Sequence, residues 1–460
     1  MASVPYFVLS PNALMSIIGL IHGPDKTVPT PAEDWRQATV DVVIPTHNEE
    51  HNIALCLASV LKQTIRPRRI ILVDDGSSDR TVDFATSYVN RNGVEMIVIQ
   101  RKTSIGKTPT LKRQCREFDS DVHFILDGDS VLESPNYIER AVRELYQGTG
   151  IASVCGTIRP LRERDRREMV KLPCMQKFLK VRPDAPVSIE NGWFSRLQKA
   201  ITNMYRDALY MFLQRFIYRG QMAYFGTITN PIGCAVAYRR KYLKDLFDQF
   251  EPKFGDDLTN SEDIFIGFAL AQKGYRNIQL NDVFVRSEEP LAKDLPRQIY
   301  MWTSSFLQSC FYFDPLVRGP FKAFKRFRYE RSAKKNKEIQ EKRKIREPYR
   351  ASFGEIRTRE YGRPMGWFLF TSAAEKIFFP VALLLMVAFQ WWKVLGLTLL
   401  FESFFAITVL AIVAKGQRME YVLKGVLVTP IRYASVLYDL VTITRFSSDV
   451  WIFRNNKWRK

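Results

Sequence analysis

Carboxylates stand at three places where an apolar run ends or a new segment opens: Asp74-Asp75-Gly76-Ser77, Asp127-Gly128-Asp129 and Ser261-Glu262-Asp263. Such groups can hold a hard divalent cation through oxygen, and the cation can bridge the protein to a diphosphate and stabilise charge on it as it departs. A carboxylate on a separate segment can take the proton of an attacking hydroxyl. A turn at Gly128 can splay Asp127 from Asp129, so that one ligates metal and the other meets the ligand. Lys107 lies in Ser104-Ile105-Gly106-Lys107-Thr108, which is no P-loop because Arg101 stands where glycine is needed. His47 and His51 are four apart, but Asn48 follows the first, so they do not make a zinc-protease site. Farther on, Gln298 and Trp302 share one face of an aromatic-rich segment.

The first two clusters need strands to carry them. Val40–Pro45, Arg69–Val73, Glu95–Gln100 and His123–Leu126 are short, β-branched and apolar, as buried parallel strands are. Asn52–Gln63 and Arg80–Asn90 have helical spacing between them. That β-α-β-α order predicts an α/β, Rossmann-like sheet with carboxylates at its strand ends. Residues 157–225 are less regular, with a helix expected around Trp193–Tyr218, and Gln298–Phe313 is expected to be an amphipathic aromatic helix. Four regions follow: 1–38, an interfacial segment and linker; 39–295, the α/β domain; 296–365, interfacial helices and a basic linker; and 366–460, a membrane region.

The membrane region rests on Ile377–Trp392 and Val394–Ala414, of which the second, at about 20 residues, fits the hydrocarbon core. A third stretch, Tyr421–Phe446, carries Lys424, Arg432, Asp439 and Arg445. It is expected to lie on the surface as an amphipathic helix, leaving two crossings and keeping the basic tail on the cytoplasmic side with the α/β domain. The net charge is +20, and half of it sits between Arg318 and Arg350, where fourteen Lys/Arg face four Glu. With apolar helices close behind and no nucleic-acid module alongside, anionic membrane lipids are the expected partner of that run, and nucleic acid is not. Six scattered cysteines without a C-x-x-C pair fit a reducing compartment and argue against structural zinc.

Taken in order, these motifs resemble family-2 glycosyltransferases of the membrane-integrated branch, which holds hyaluronan, chitin, cellulose and poly-N-acetylglucosamine synthases. The resemblance covers roughly residues 40–305 by motif and reaches the C-terminus by architecture. It implies a GT-A fold, a UDP-sugar donor, a required divalent metal (Mg2+ or Mn2+) and inversion at the anomeric carbon. By motif match, Asp75 accepts from uracil with Thr46 and Glu49 nearby, and Lys107 lies near the donor diphosphate. Asp127 and Asp129 follow, with Asp129 as the metal ligand. Ser261-Glu262-Asp263 resembles the family's Thr-Glu-Asp motif, which makes Asp263 the expected base and places Glu262 on the acceptor side. Asp257 is the alternative base. Gln298 to Trp302 resembles Gln-x-x-Arg-Trp and implies acceptor contacts, but Met301 occupies the position of an arginine that helps hold the diphosphate. Arg297 and Lys293 are candidates to replace it.

The expected function is processive elongation of a polysaccharide from a UDP-sugar at the cytoplasmic face. The alternative is transfer of one sugar to a lipid-linked acceptor, and a non-catalytic nucleotide-sugar sensor is a third class. The sugar, the linkage and any homo-oligomer are left open.

Overall fold

The computed structural model describes residues 11–22, 34–147, 150–188, 192–255, 261–335 and 351–453. Asp257 and residues 336–350 of the basic run lie outside the described residues.

An eight-stranded mixed sheet forms the α/β domain: β1 (Val40–Thr46), β2 (Arg69–Asp74), β3 (Ile97–Gln100), β4 (Val122–Leu126), β5 (Ser130–Leu132), β6 (Ile151–Pro160), β7 (Ala235–Arg239) and β8 (Arg276–Ser287). Their order across the sheet is β3-β2-β1-β4-β7-β6-β8-β5. The first four are parallel; β7 runs antiparallel between β4 and β6; β8 is parallel to β6 and β5 closes the edge antiparallel to β8. Because β1 is flanked by β2 on one side and β4 on the other, the chain reverses its winding there. The crevice beyond the carboxyl ends of β1 and β4 is where an open α/β sheet binds ligands.

Both faces of the sheet are covered, which is why its central strands are apolar without alternation. Beyond α1 (Pro11–His22), one face of the sheet packs under α2 (Ile53–Leu61), α3 (Thr81–Asn92) and α5 (Tyr137–Leu145). The opposite face packs under α4 (Lys107–Glu117), α10 (Arg240–Phe254) and α11 (Glu262–Lys273). Between these come α6 (Glu163–Val170), α7 (Pro173–Val181), α8 (Trp193–Phe212) and α9 (Arg219–Phe225). Phe313, Leu316, Met365 and Leu369 join the second core, so the α/β domain and the first of the long apolar helices share one packed cluster.

After α12 (Leu295–Tyr312), α13 (Asp314–Val317), α14 (Ala323–Lys335) and α15 (Ala351–Tyr361) come three long apolar helices: α16 (Met365–Ala388), α17 (Trp392–Val413) and α18 (Arg418–Ser447). All three are long and apolar enough to cross a membrane, not the two expected. Only 28%, 22% and 11% of their most apolar windows are buried, which is what lipid-facing helices show and core helices do not. The charges that suggested a surface helix for α18 are paired inside the helix cluster. Asp439 meets Lys376 at 3.0 Å and Thr303 at 2.5 Å, Arg432 pairs with Glu402, and Lys424 pairs with Asp207 and Glu420. Paired charges facing a bundle interior are compatible with a hydrophobic surround. At the N-terminus, α1 docks on α16 through Asn12, which donates to Ser372 and Glu375, and packs closely on α9 where Gly19 meets Gly220.

Candidate active site

The turn after β4 folds back against β1. Gly128 N–H donates to the Pro45 carbonyl (3.3 Å), and a Cβ at this position would stand 2.7 Å from Thr46 Cγ2, so only glycine fits. This close approach gathers Thr46, Glu49, Asp127 and Asp129 at the switch point. Asp127 and Asp129 diverge as the turn allows. Asp129 accepts from Ser130 Oγ (2.8 Å), whereas Asp127 reaches Lys107.

Glu49 and Asp129 lie close together with little compensating positive charge. Burial first, then each neighbour's negative charge (Asp129 on Glu49, Asp127 on Asp129), pushes both carboxyls above their usual range. Among the described residues no group of three or more His, Cys, Asp or Glu is pre-assembled to hold a metal. The donor chemistry of Asp127 and Asp129 nevertheless fits a hard cation that would take further oxygen ligands from a diphosphate, and positive charge there would relieve the buried carboxylates.

Lys107, at the start of α4, joins two sides of the crevice. Its Nζ lies 2.6 Å from Asp127 and 2.6 Å from Glu262, and donates to the Gly233 carbonyl at 3.2 Å. Burial opposes its charge, but Asp127 and Glu262 outweigh it and hold the ammonium well above its ordinary pKa. Asp263 sits beside this bridge. It accepts from Gly233 N–H (3.2 Å), Ile264 N–H (2.8 Å) and the Ser261 hydroxyl. Burial, then the charge of Glu262, pushes its carboxyl up to about 6. A carboxylate so tuned suits proton abstraction near neutral pH.

Asp75 is engaged by its own domain. Its Oδ1 accepts from Arg101 (3.0 Å) and Ile105 N–H (3.0 Å), and its Oδ2 from Ser104 (2.6 Å) and Gly106 N–H (2.8 Å). Burial raises its pKa, but these bonds from Ile105, Ser104, Gly106 and Arg101 overcome it and hold the carboxyl below its usual range. Four hydrogen bonds thus hold Asp75 to the 101–106 segment.

Gln298 and Trp302 lie on α12, one turn apart. The guanidinium that meets them comes from α8: Arg206 donates to Gln298 Oε1 and lies 4.3 Å from the Trp302 ring centroid. Arg206 is fully buried, and its Nε faces Glu289 at 3.2 Å. Lys293 and Arg297 are both exposed. Arg206 was invisible to motif reading because its helix precedes α12 by most of the α/β domain's second half. The available signal was an arginine on a helix whose other residues are largely apolar or aromatic.

Residues 41–247 match the family model described as Glycosyl transferase family 2. An undecaprenyl-phosphate 4-deoxy-4-formamido-L-arabinose transferase of Serratia proteamaculans is 32% identical over 127 residues, 27% of this chain and 38% of that protein. An N-acetylglucosaminyltransferase of Rhizobium meliloti is 24% identical over 308 residues, 65% of this chain and 62% of that protein. The chain thus spans less than two thirds of these curated relatives' lengths. A solved structure, a mannosyltransferase from Pyrobaculum calidifontis in complex with GDP-Man and Mn2+, superposes with TM-score 0.49 at 15% identity, covering 96% of this chain and 95% of the other.

Proposed function

We propose that this chain, whose residues 41–247 match the family model described as Glycosyl transferase family 2, transfers a sugar from a UDP-sugar to a growing polysaccharide at the cytoplasmic face, with inversion. The observation that carries this is the Lys107 bridge. It ties Asp127, on the donor side, to Glu262, and so fixes the distance from the donor turn to Asp263. Asp263 takes the proton of an acceptor hydroxyl as its oxygen attacks the anomeric carbon, and the bond from that carbon to the diphosphate breaks on the opposite side. Mg2+ or Mn2+ held by Asp129, with Asp127, would stabilise charge on the leaving diphosphate. Thr46, Glu49 and Asp75 line the nucleotide side, and opening of the 101–106 segment frees Asp75 for the base. Trp302, backed by Arg206, offers its other face to an acceptor sugar, with Gln298 and Glu262 beside it.

A single transfer to a lipid-linked acceptor is the second reading. Met301 favours it, together with a small helix cluster whose interior is occupied by ion pairs. Mass analysis of the product made by purified protein with a panel of UDP-sugars separates the two: a ladder of masses supports elongation, and one added sugar on a lipid supports the second reading.

A further inference from the structure

A cavity of about 250 Å³ opens where the α/β domain meets the turn between α17 and α18. That is many times the ~10–15 Å³ needed to hold one water. Its lining includes Arg159, Arg162, Arg164, Arg215 and Arg286 against two carboxylates, Asp207 and Glu420. Five cations to two anions leaves a surplus of three on its walls. The surplus is not fully absorbed by outer partners. Arg162 pairs with Asp207 at 2.7 Å, and Arg286 with Glu133 and Asp165 at 3.0 Å each. Arg159 reaches Glu133 at 3.3 Å. Arg215 has no carboxylate partner among the described residues, and its guanidinium donates to the Asn281 carbonyl at 3.4 Å. Burial, then the like charges of Arg159 and Arg219, hold Arg215 below its usual pKa.

This cavity lies apart from the Asp127–Asp129 turn of the candidate active site and shares Tyr210 with the Glu289–Arg206 side of it. Successive strand residues point to opposite faces. On β8, Ser287 Oγ stands 3.5 Å from Asp129 Oδ1, while Arg286, its neighbour and the register partner of Arg159 on β6, turns into the cavity. The two sites thus share the β5-β8-β6 edge from opposite sides.

Arginine forks match phosphate oxygens in geometry as well as charge. The location adds a second indication. One wall is built by Gln417, Glu420 and Tyr421, just beyond the end of α17 at Val413 and at the start of α18. Ends of apolar helices lie at headgroup depth, where basic pockets take anionic lipid heads. We propose that this cavity binds a phosphate-bearing anion, either a membrane-lipid headgroup or a free phosphate, with Arg159 and Arg215 as its principal cations.

The test uses the full chain, purified in neutral detergent. Native mass spectrometry measures retention of phosphatidic acid, with phosphatidylcholine as the zwitterionic control, and calorimetry measures binding of inorganic phosphate. Wild type is expected to retain one phosphatidic acid in preference to phosphatidylcholine. Arg159→Gln/Arg215→Gln should weaken that binding at least about tenfold, as loss of charge-assisted bonds does. Competition by inorganic phosphate identifies the phosphoryl group as what is held. Phosphate binding that the variant loses, without lipid preference, supports the site and assigns it a soluble ligand. Arg215→Gln alone strands no carboxylate, so it keeps the measurement available should the double variant misfold. Wild type that binds neither probe, or variants that bind both as tightly as wild type, overturns the proposal.

Discussion

The guanidinium of Arg206 lies 4.3 Å from the centroid of the Trp302 ring. The two residues come from α8 and α12, and Glu289 closes the arrangement from the end of β8 through Arg206 Nε (3.2 Å) and Tyr210 (2.8 Å). A motif that lacks its arginine at Met301 therefore still has a buried cation against its glutamine and tryptophan. The side chain reaches the site through space from a different helix.

Arg206→Lys keeps the charge but loses the planar fork and most of the stacking. A cation–π contact is worth ~0.5–2 kcal/mol, so the acceptor KM should rise up to about 30-fold with the donor KM unchanged. Arg206→Met strands Glu289 and should cost ~3–5 kcal/mol of stability, read as a large drop in melting temperature. Adding Met301→Arg to that variant should restore part of the activity if position 301 faces the same space. Equal KM values for wild type and Arg206→Lys would reduce Arg206 to a packing role.

Turnover should follow the ionisation of Asp263. Burial pushes this carboxyl up to about 6, and the base acts only when unprotonated. Activity should therefore be low below pH 6 and rise through that value to a plateau. Removing the negative charge next to it with Glu262→Gln should move the rise to lower pH. A profile flat from pH 5 to 8 would show that another group takes the proton.

Asp129→Ala should abolish transfer and weaken UDP binding when Mg2+ or Mn2+ is present, and change UDP binding little in EDTA. The reason is that the cation, not the carboxylate, meets the diphosphate. Calorimetric titration with and without metal distinguishes the cases. Wild-type activity that survives EDTA would rule out the metal.

Ser104→Ala removes one of four bonds that hold Asp75 to the 101–106 segment. If UDP binding requires Asp75 to leave that segment, UDP affinity should rise, by about tenfold or more for a hydrogen bond to a charged group. Weaker UDP binding would instead mean that the segment, held as it is, forms part of the nucleotide site.

The parallel half of the fold was legible in the sequence. Val40–Pro45, Arg69–Val73 and His123–Leu126 fall within a residue or so of β1, β2 and β4, because fully buried strands are short apolar runs with nothing else to read. The Trp193–Tyr218 helix was likewise found, as α8 continued by a π-helical turn, Leu213–Tyr218. The antiparallel insertion of β7 between β4 and β6 was not, since local pattern carries no strand order. The third long helix was found as a helix, but its charges look like a polar face until Glu402, Lys376 and Asp207 are placed against them. In the candidate site, the strand-end carboxylates followed from topology, but the Lys107 bridge and Arg206 depend on contacts between distant elements.

The most direct measurement is sugar transfer from a UDP-sugar panel by wild type and Asp263→Asn, with UDP affinity measured on both. Asp263 contacts Gly233, Ser261 and Ile264, none of which bonds Asp75. The expected result is product from at least one donor with wild type, none with Asp263→Asn, and UDP affinities within a few-fold of each other. Near-normal turnover by Asp263→Asn, or no transfer from any UDP-sugar by wild type, would contradict a UDP-sugar transferase with Asp263 as its base.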